Sequence, residues 1–224
     1  MTAGSPSTTT NLANRYLNAQ LAGDRTEAVR LLVEEGLHSG VSAADLLLEV
    51  IQPAQREIGR LWQENKVSIA QEHLATGISQ LALARICQES PRAGQLGKTV
   101  VVACVEGETH EMGARIAADF LEMAGFRVRY LGANVPTDSL LDMIKDSSPD
   151  LVALSVTISF HASALCDAIA RIQKATDGKL PILVGGHIFE WDPGLMKRLG
   201  PVAHGKDAVA LVAEAKRALG LERS

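Results

Sequence analysis

The run Glu108-Thr109-His110-Glu111-Met112-Gly113 is the first place where this sequence specifies chemistry. A metal-binding imidazole commonly has its second nitrogen held by a carboxylate, which fixes the tautomer and raises basicity. Read alone, a histidine near a helix start is more often a satisfied polar residue. Three further runs carry small, polar or glycine residues: Gly132-Ala133-Asn134, Ser155-Val156-Thr157 and Gly185-Gly186-His187. A second group lies upstream, where Trp62 is followed after nine residues by Glu72-His73. Trp62 continues an apolar stripe, as a core aromatic does. His73 shares a helical face with Ile69, Thr76 and Gln80, one step from the apolar face, and so points to something polar or to a partner.

Several function classes are disfavoured by the same residues. Glu106-Gly107-Glu108 offers one glycine where a dinucleotide fingerprint needs three, and its carboxylates would repel a pyrophosphate. The formal net charge is -4 with no block of Lys or Arg, which argues against direct nucleic-acid binding. No apolar run approaches the roughly 18 residues of a membrane helix, and the opening lacks a signal-peptide pattern, so a cytoplasmic location is expected. Cys87, Cys104 and Cys166 lie in apolar stretches without C-x-x-C spacing and are expected to be reduced and structural.

Periodicity indicates what positions these residues. The chain has 224 residues, 46% of them hydrophobic, which is enough for two small domains with a core each. The Ser/Thr-rich residues 1–10 lack periodicity and are expected to be disordered. From residue 11 to residue 93 the expectation is a four-helix bundle, with helices near 9–22, 24–38, 43–65 and 69–89. Asp24 with Glu27, Ser42 with Asp45 and Ser68 with Gln71 supply start signals, and Pro53 should kink the third helix. After the breaker Ser90-Pro91-Arg92-Ala93-Gly94 the alphabet changes. Residues 94–224 alternate Val/Leu/Ile-rich strands near 99–105, 127–131, 150–156 and 181–184 with helices near 111–124, 137–146, 161–175 and 207–219. A weak fifth strand is expected near 201–203. Alternation of this kind means an α/β, Rossmann-like (flavodoxin-like) parallel sheet covered on both faces. The polar and glycine runs all follow strands, where such sheets bind ligands.

The acidic-x-His-x-x-Gly run, with Ser155-Val156-Thr157 and Gly185-Gly186 behind it, resembles the cobalamin-binding domain of methionine synthases, corrinoid methyl-carrier proteins and cobalamin photoreceptors. The resemblance implies His110 as lower cobalt ligand, with Glu108 behind it and Gly113 completing the motif. Ser155, Thr157, Gly185 and Gly186 would line a channel for the displaced nucleotide tail. Glu108 stands where many members have Asp, which keeps the charge and lengthens the reach. A four-helix cap often precedes this domain in the family.

The spacing of Trp62, Glu72 and His73 resembles the helical motif of CarH-type photoreceptors, which hold adenosylcobalamin in the dark. It implies that these three residues contact the upper axial group, and that light breaks the cobalt–carbon bond and shifts the bundle. Two departures stand out. About ten residues precede the first helix where such photoreceptors usually carry a DNA-binding domain, so output is expected through a protein effector or transcription factor, with homo-oligomerisation open. Gln63 occupies the position of a second histidine, and an amide oxygen is a poorer ligand for cobalt(III) than imidazole. The expected function is therefore a non-enzymatic cobalamin sensor. A methyl-carrier subunit of a methyltransferase system and a cobalamin-responsive antirepressor are the alternatives. No second chromophore is predicted, and the sequence does not exclude one above the corrin.

Overall fold

A computed structural model describes residues 6–221 of the chain, which divides into two compact units between Pro91 and Arg92. The first unit is wholly helical. Helix α1 spans Pro6–Leu21, so the disorder expected over residues 1–10 is corrected for residues 6–10. Thr9 is buried there, and packing outweighs the missing apolar period. Residues 1–5 lie outside the described residues. Helix α2 (Arg25–Arg30) runs into a π-helical segment, Leu31–Gly36, and a short 3-10 turn, Leu37–Ser39. Helix α3 (Ala43–Asp45) continues through a second π segment, Leu46–Ile51, into α4 (Gln52–Gln63), and α5 spans Ile69–Glu89.

The start signals act as expected. Asp24, Ser42 and Ser68 each accept the backbone N–H three residues on, at 2.9, 3.1 and 3.2 Å. At Ser68 the bond is reciprocal, because its own N–H donates to Gln71 Oε1 at 2.8 Å. The irregularity expected at Pro53 lies just before it. In a regular α-helix the proline ring crowds the carbonyl four residues back, that of Glu49, and the wider π turn over Leu46–Ile51 carries this stretch. Leu31, Leu32, Leu46, Leu47, Ile51, Ile58, Ile78 and Leu83 are almost wholly buried and form the centre of the unit. Each contributes about 1.5–3 kcal/mol of transfer free energy.

The second unit is a five-stranded parallel sheet in the order β2-β1-β3-β4-β5. Its strands are β1 (Thr99–Cys104), β2 (Arg127–Gly132), β3 (Leu151–Ser155), β4 (Ile182–Gly185) and β5 (Ala203–His204). The connecting helices are α6 (Met112–Met123), α7 (Thr137–Ser147) and α8 (Ala162–Ala175), and α11 (Ala208–Ala218) follows β5. Two short helices, α9 (Ile188–Trp191) and α10 (Leu195–Arg198), fill the β4–β5 connection, where Pro193 and Gly194 had masked any helical period. Strand β1 explains the sheet's composition. Val100, Val102 and Cys104 pack with Ala114, Ala118 and Leu211 on one face, while Val101, Ala103 and Val105 pack with Leu140, Leu165 and Ile169 on the other. With both faces covered, the strand reads as continuous Val-Val-Val-Ala-Cys rather than alternating.

The order 2-1-3-4-5 reverses direction between β1 and β3, so the loops after these two neighbours diverge and leave a crevice at their carboxyl ends. Among the described residues no helix is long and apolar enough to cross a membrane.

The Ser68 capping box should be measurable on its own. Ser68→Ala is expected to lower the stability of the helical unit by about 1 kcal/mol in urea unfolding followed by circular dichroism, with Ser68→Asp retaining most of it.

Candidate functional site

The site is assembled by one carboxylate. Val105 follows β1, and the chain turns so that the Glu108 N–H donates to the Val105 carbonyl at 3.0 Å and the Glu108 side chain becomes fully buried. Its Oε1 accepts the His110 backbone N–H at 2.8 Å and lies 2.5 Å from His110 Nδ1. Its Oε2 accepts the backbone N–H groups of Thr157 at 2.7 Å and Ile158 at 3.3 Å. One side chain therefore orients the imidazole and joins the loops after β1 and β3 across the switch point. The His110 ring is 55% exposed, although its partner is wholly buried.

Burial would raise the Glu108 carboxyl. The His110 side chain, the His110 and Thr157 N–H groups and the charge of a protonated His110 outweigh it and hold the carboxyl at about 2. Cys104, at the end of β1, goes the other way: burial and then the Glu108 and Glu111 carboxylates push its thiol up to about 12. It is an inert core residue, and Cys87, Cys104 and Cys166 are all free thiols.

The other residues picked out by their motifs line the same edge. Ser155 is buried and pairs with Gly185, and the Val156 N–H donates to the Gly185 carbonyl at 3.1 Å. Gly186 has φ 111° and an added Cβ would lie 2.0 Å from the Val156 carbonyl oxygen, so the fold itself demands glycine there. Gly113 is different. Nothing lies within 4 Å of a Cβ built on it, in the first turn of α6 and one turn beyond His110. A glycine within a helix costs about 1 kcal/mol relative to Ala, and this one leaves open space at the surface. That space beside a carboxylate-held imidazole suits a flat metallocofactor brought up to His110. A cleft of about 600 Å³ lined by Leu141, Lys145, Pro149, Thr176, Lys179 and Pro181 lies at the opposite ends of β3 and β4, away from these groups.

Two residues inside the runs singled out by the sequence take roles that it did not assign to them. Asn134, in the left-handed region at φ 50°, donates its backbone N–H to the Glu108 carbonyl at 2.8 Å and accepts the Gly107 N–H on Oδ1 at 2.7 Å. It ties the loop after β2 to the first, and asparagine's tolerance of positive φ was the available signal. Glu111 accepts the Tyr130 hydroxyl at 3.1 Å, which braces the segment after His110 against β2.

Trp62, Glu72 and His73 belong to the helical unit. Trp62, read as a core aromatic by its stripe, is 43% exposed in the last turn of α4. The expectation of burial is corrected, because the stripe's buried members Ala54 and Ile58 stop one turn earlier. Across the hairpin, Glu72 Oε2 lies 2.6 Å from His73 Nδ1 and Glu72 Oε1 accepts the Thr76 hydroxyl at 2.9 Å. The structure joins Glu72 with His73 in one unit and Glu108 with His110, Thr157 and their neighbours in the other.

Comparison with known proteins places these features. Residues 98–213 match a family described as a B12 binding domain, and residues 12–86 match a second family of the same description. The HTH-type transcriptional repressor CarH of Myxococcus xanthus is 36% identical over 153 residues, 67% of this chain and 50% of that protein. The chain thus spans about half the repressor's length. Trimethylamine corrinoid protein 1 of Methanosarcina mazei is 25% identical over 191 residues, 83% of this chain and 87% of that protein. Among solved structures, the Methanosarcina barkeri monomethylamine corrinoid protein superposes with a TM-score of 0.74 at 16% identity, covering 96% of this chain and 100% of that one. That likeness concerns the fold.

Glu108 makes stability depend on acid. Its carboxyl is held at about 2 against an ordinary 4.5, so its contribution is complete above about pH 4.5 and disappears as pH falls towards 2. Glu108→Gln should lose up to about 3 kcal/mol at pH 7 and flatten the decline below pH 4.5. Urea unfolding of the cofactor-free chain between pH 3 and 7 measures both.

Proposed function

The chain belongs to the B12-binding domain family and its cofactor is cobalamin, and we propose that it is a light-responsive sensor holding adenosylcobalamin with His110 as lower axial ligand. The observation that carries the ligand assignment is the buried Glu108 carboxylate 2.5 Å from His110 Nδ1. A carboxylate on Nδ1 leaves Nε2 as the nitrogen that would bind cobalt and raises the basicity of the ring. Gly113 leaves room for the corrin, and Ser155, Thr157, Gly185 and Gly186 would border the displaced tail. When bound, adenosylcobalamin supplies a cobalt–carbon bond that light cleaves.

The sensor reading rests on the helical unit. Trp62 is exposed, and Glu72 and His73 form a hydrogen-bonded pair across the α4–α5 hairpin from it. These three residues would hold a nucleoside-sized upper group. Its departure changes the free energy of the bundle state that contacts it, so the populations of bundle positions shift. A protein effector or transcription factor, or a second copy of the chain, would receive that change. Gln63 offers cobalt no imidazole, so a bis-histidine product is not expected.

A methyl-carrier role is the second reading, favoured by the corrinoid proteins that match more than four-fifths of the chain. The corrin's upper face would then be open to a methyltransferase partner, and Trp62, Glu72 and His73 would show no selectivity for the upper group.

Three measurements decide. His110→Ala should weaken cobalamin binding or give a base-on or water-ligated absorption spectrum; an unchanged spectrum and affinity would remove His110 as ligand. In the dark the wild type should prefer adenosylcobalamin to methylcobalamin, with Trp62→Ala reducing the preference. Weak green light should bleach the adenosyl spectrum and change the elution profile in size-exclusion chromatography with scattering. Equal affinities with identical dark and lit profiles would favour the carrier.

A further inference from the structure

Behind Glu72 and His73, the helical unit carries a string of buried polar groups that the cobalamin site does not use. Ser79, fully buried on α5, lies 2.8 Å from Tyr16 Oη, 2.8 Å from Gln20 Nε2 and 2.5 Å from Gln55 Nε2. Both amides also donate to the Ala75 carbonyl, at 2.9 and 3.2 Å, which determines which end of each amide faces α5. Two donated bonds fill the lone pairs of the Ser79 hydroxyl, so its single proton goes to Tyr16 Oη. Gln20 Oε1, on a residue 2% exposed, has no partner among the described residues. An orphan acceptor of this kind costs about 1–3 kcal/mol, so the network holds one arrangement that leaves a bond unmade.

The outer end of the string is contested. Thr76 Oγ1 lies 2.9 Å from Glu72 Oε1 and 3.4 Å from Gln55 Oε1, and a hydroxyl has one proton to give. The ionised carboxylate, closer and charged, takes it. Glu72 in turn holds His73 with its other oxygen.

We propose that Thr76 is a relay. While Glu72 faces Thr76, the hydroxyl donates its hydrogen bond to the carboxylate; when Glu72 turns to another partner, the hydroxyl donates to Gln55 Oε1, which polarises that amide and strengthens its donation to Ser79, so the change is felt along the Gln55–Ser79–Gln20–Tyr16 network. Tyr16 and Gln20 sit on α1, Gln55 on α4 and Ser79 on α5, so the state of Glu72 at the surface sets the hydrogen bonding between three helices. Only the trigger, Glu72 turning towards an upper axial group, rests on the function proposed above. The relay is a property of the bundle.

The full chain, labelled with 15N in its glutamine side chains, tests it by nuclear magnetic resonance. The Gln55 and Gln20 amides are assigned by their contacts with Ala75 and Ser79. In the cofactor-free protein, Glu72→Ala should shift both resonances. Adding Thr76→Val should abolish the Gln20 shift, and adding Thr76→Ser, which restores the hydroxyl, should bring it back. A Gln20 resonance unmoved by Glu72→Ala, or a shift that survives Thr76→Val, would overturn the relay. Adenosylcobalamin added to the wild type in the dark should move the same two resonances. If the variants behave as stated and the cofactor moves neither, the relay stands and the placement of Glu72 against the upper group fails.

Discussion

A charge buried in a protein must be surrounded by donors, and at Glu108 that requirement organises the α/β unit's functional edge. The carboxylate is wholly out of solvent, and its two oxygens are divided between the loop that carries His110 and the loop that follows β3. Removing it would leave the Thr157 and Ile158 amides without the acceptor that orders them, and the imidazole without the group that selects its tautomer. The orientation of the His110 imidazole is thus built into the protein itself. A side chain held in place in this way loses little conformational freedom on engaging a partner.

The reach of that carboxylate depends on the sheet. Because β1 and β3 are neighbours whose connections leave in opposite directions, their loops part and a crevice opens between them. Glutamate, one methylene longer than aspartate, spans this gap to backbone amides. Asn134 closes the third side by bonding both Gly107 and Glu108, so three loops are braced on one turn. Gly186 allows the fourth loop to pass against Val156, at a distance no side chain would permit.

The helical unit shows the opposite economy. Its core is mostly aliphatic, yet Tyr16, Gln20 and Ser79 are buried within it and, among the described residues, Gln20 Oε1 goes unmet. A bundle built for stability alone would replace these with apolar residues of similar volume. Polar groups that can exchange partners give alternative arrangements of similar energy, which an apolar core does not.

Much of this was legible from the sequence because it rests on local rules. The alternation of apolar runs and helical periods determined the order of elements, the three capping signals determined where helices start, and the polar runs after the strands put Glu108, His110 and Gly113 at one edge of the sheet. What the sequence could not decide involves groups far apart along the chain. The exposure of Trp62 depends on where the bundle's core ends, because its apolar stripe runs past the last residue that has anything to pack against. The helix over residues 6–10 depends on burial of Thr9, which no period announces. The hydrogen-bond partners that Glu108, Asn134 and Gln55 find on other elements sit 20 to 50 residues away along the chain. A hydrogen bond needs position and angle as well as the right atoms, and only the packed tertiary structure supplies those.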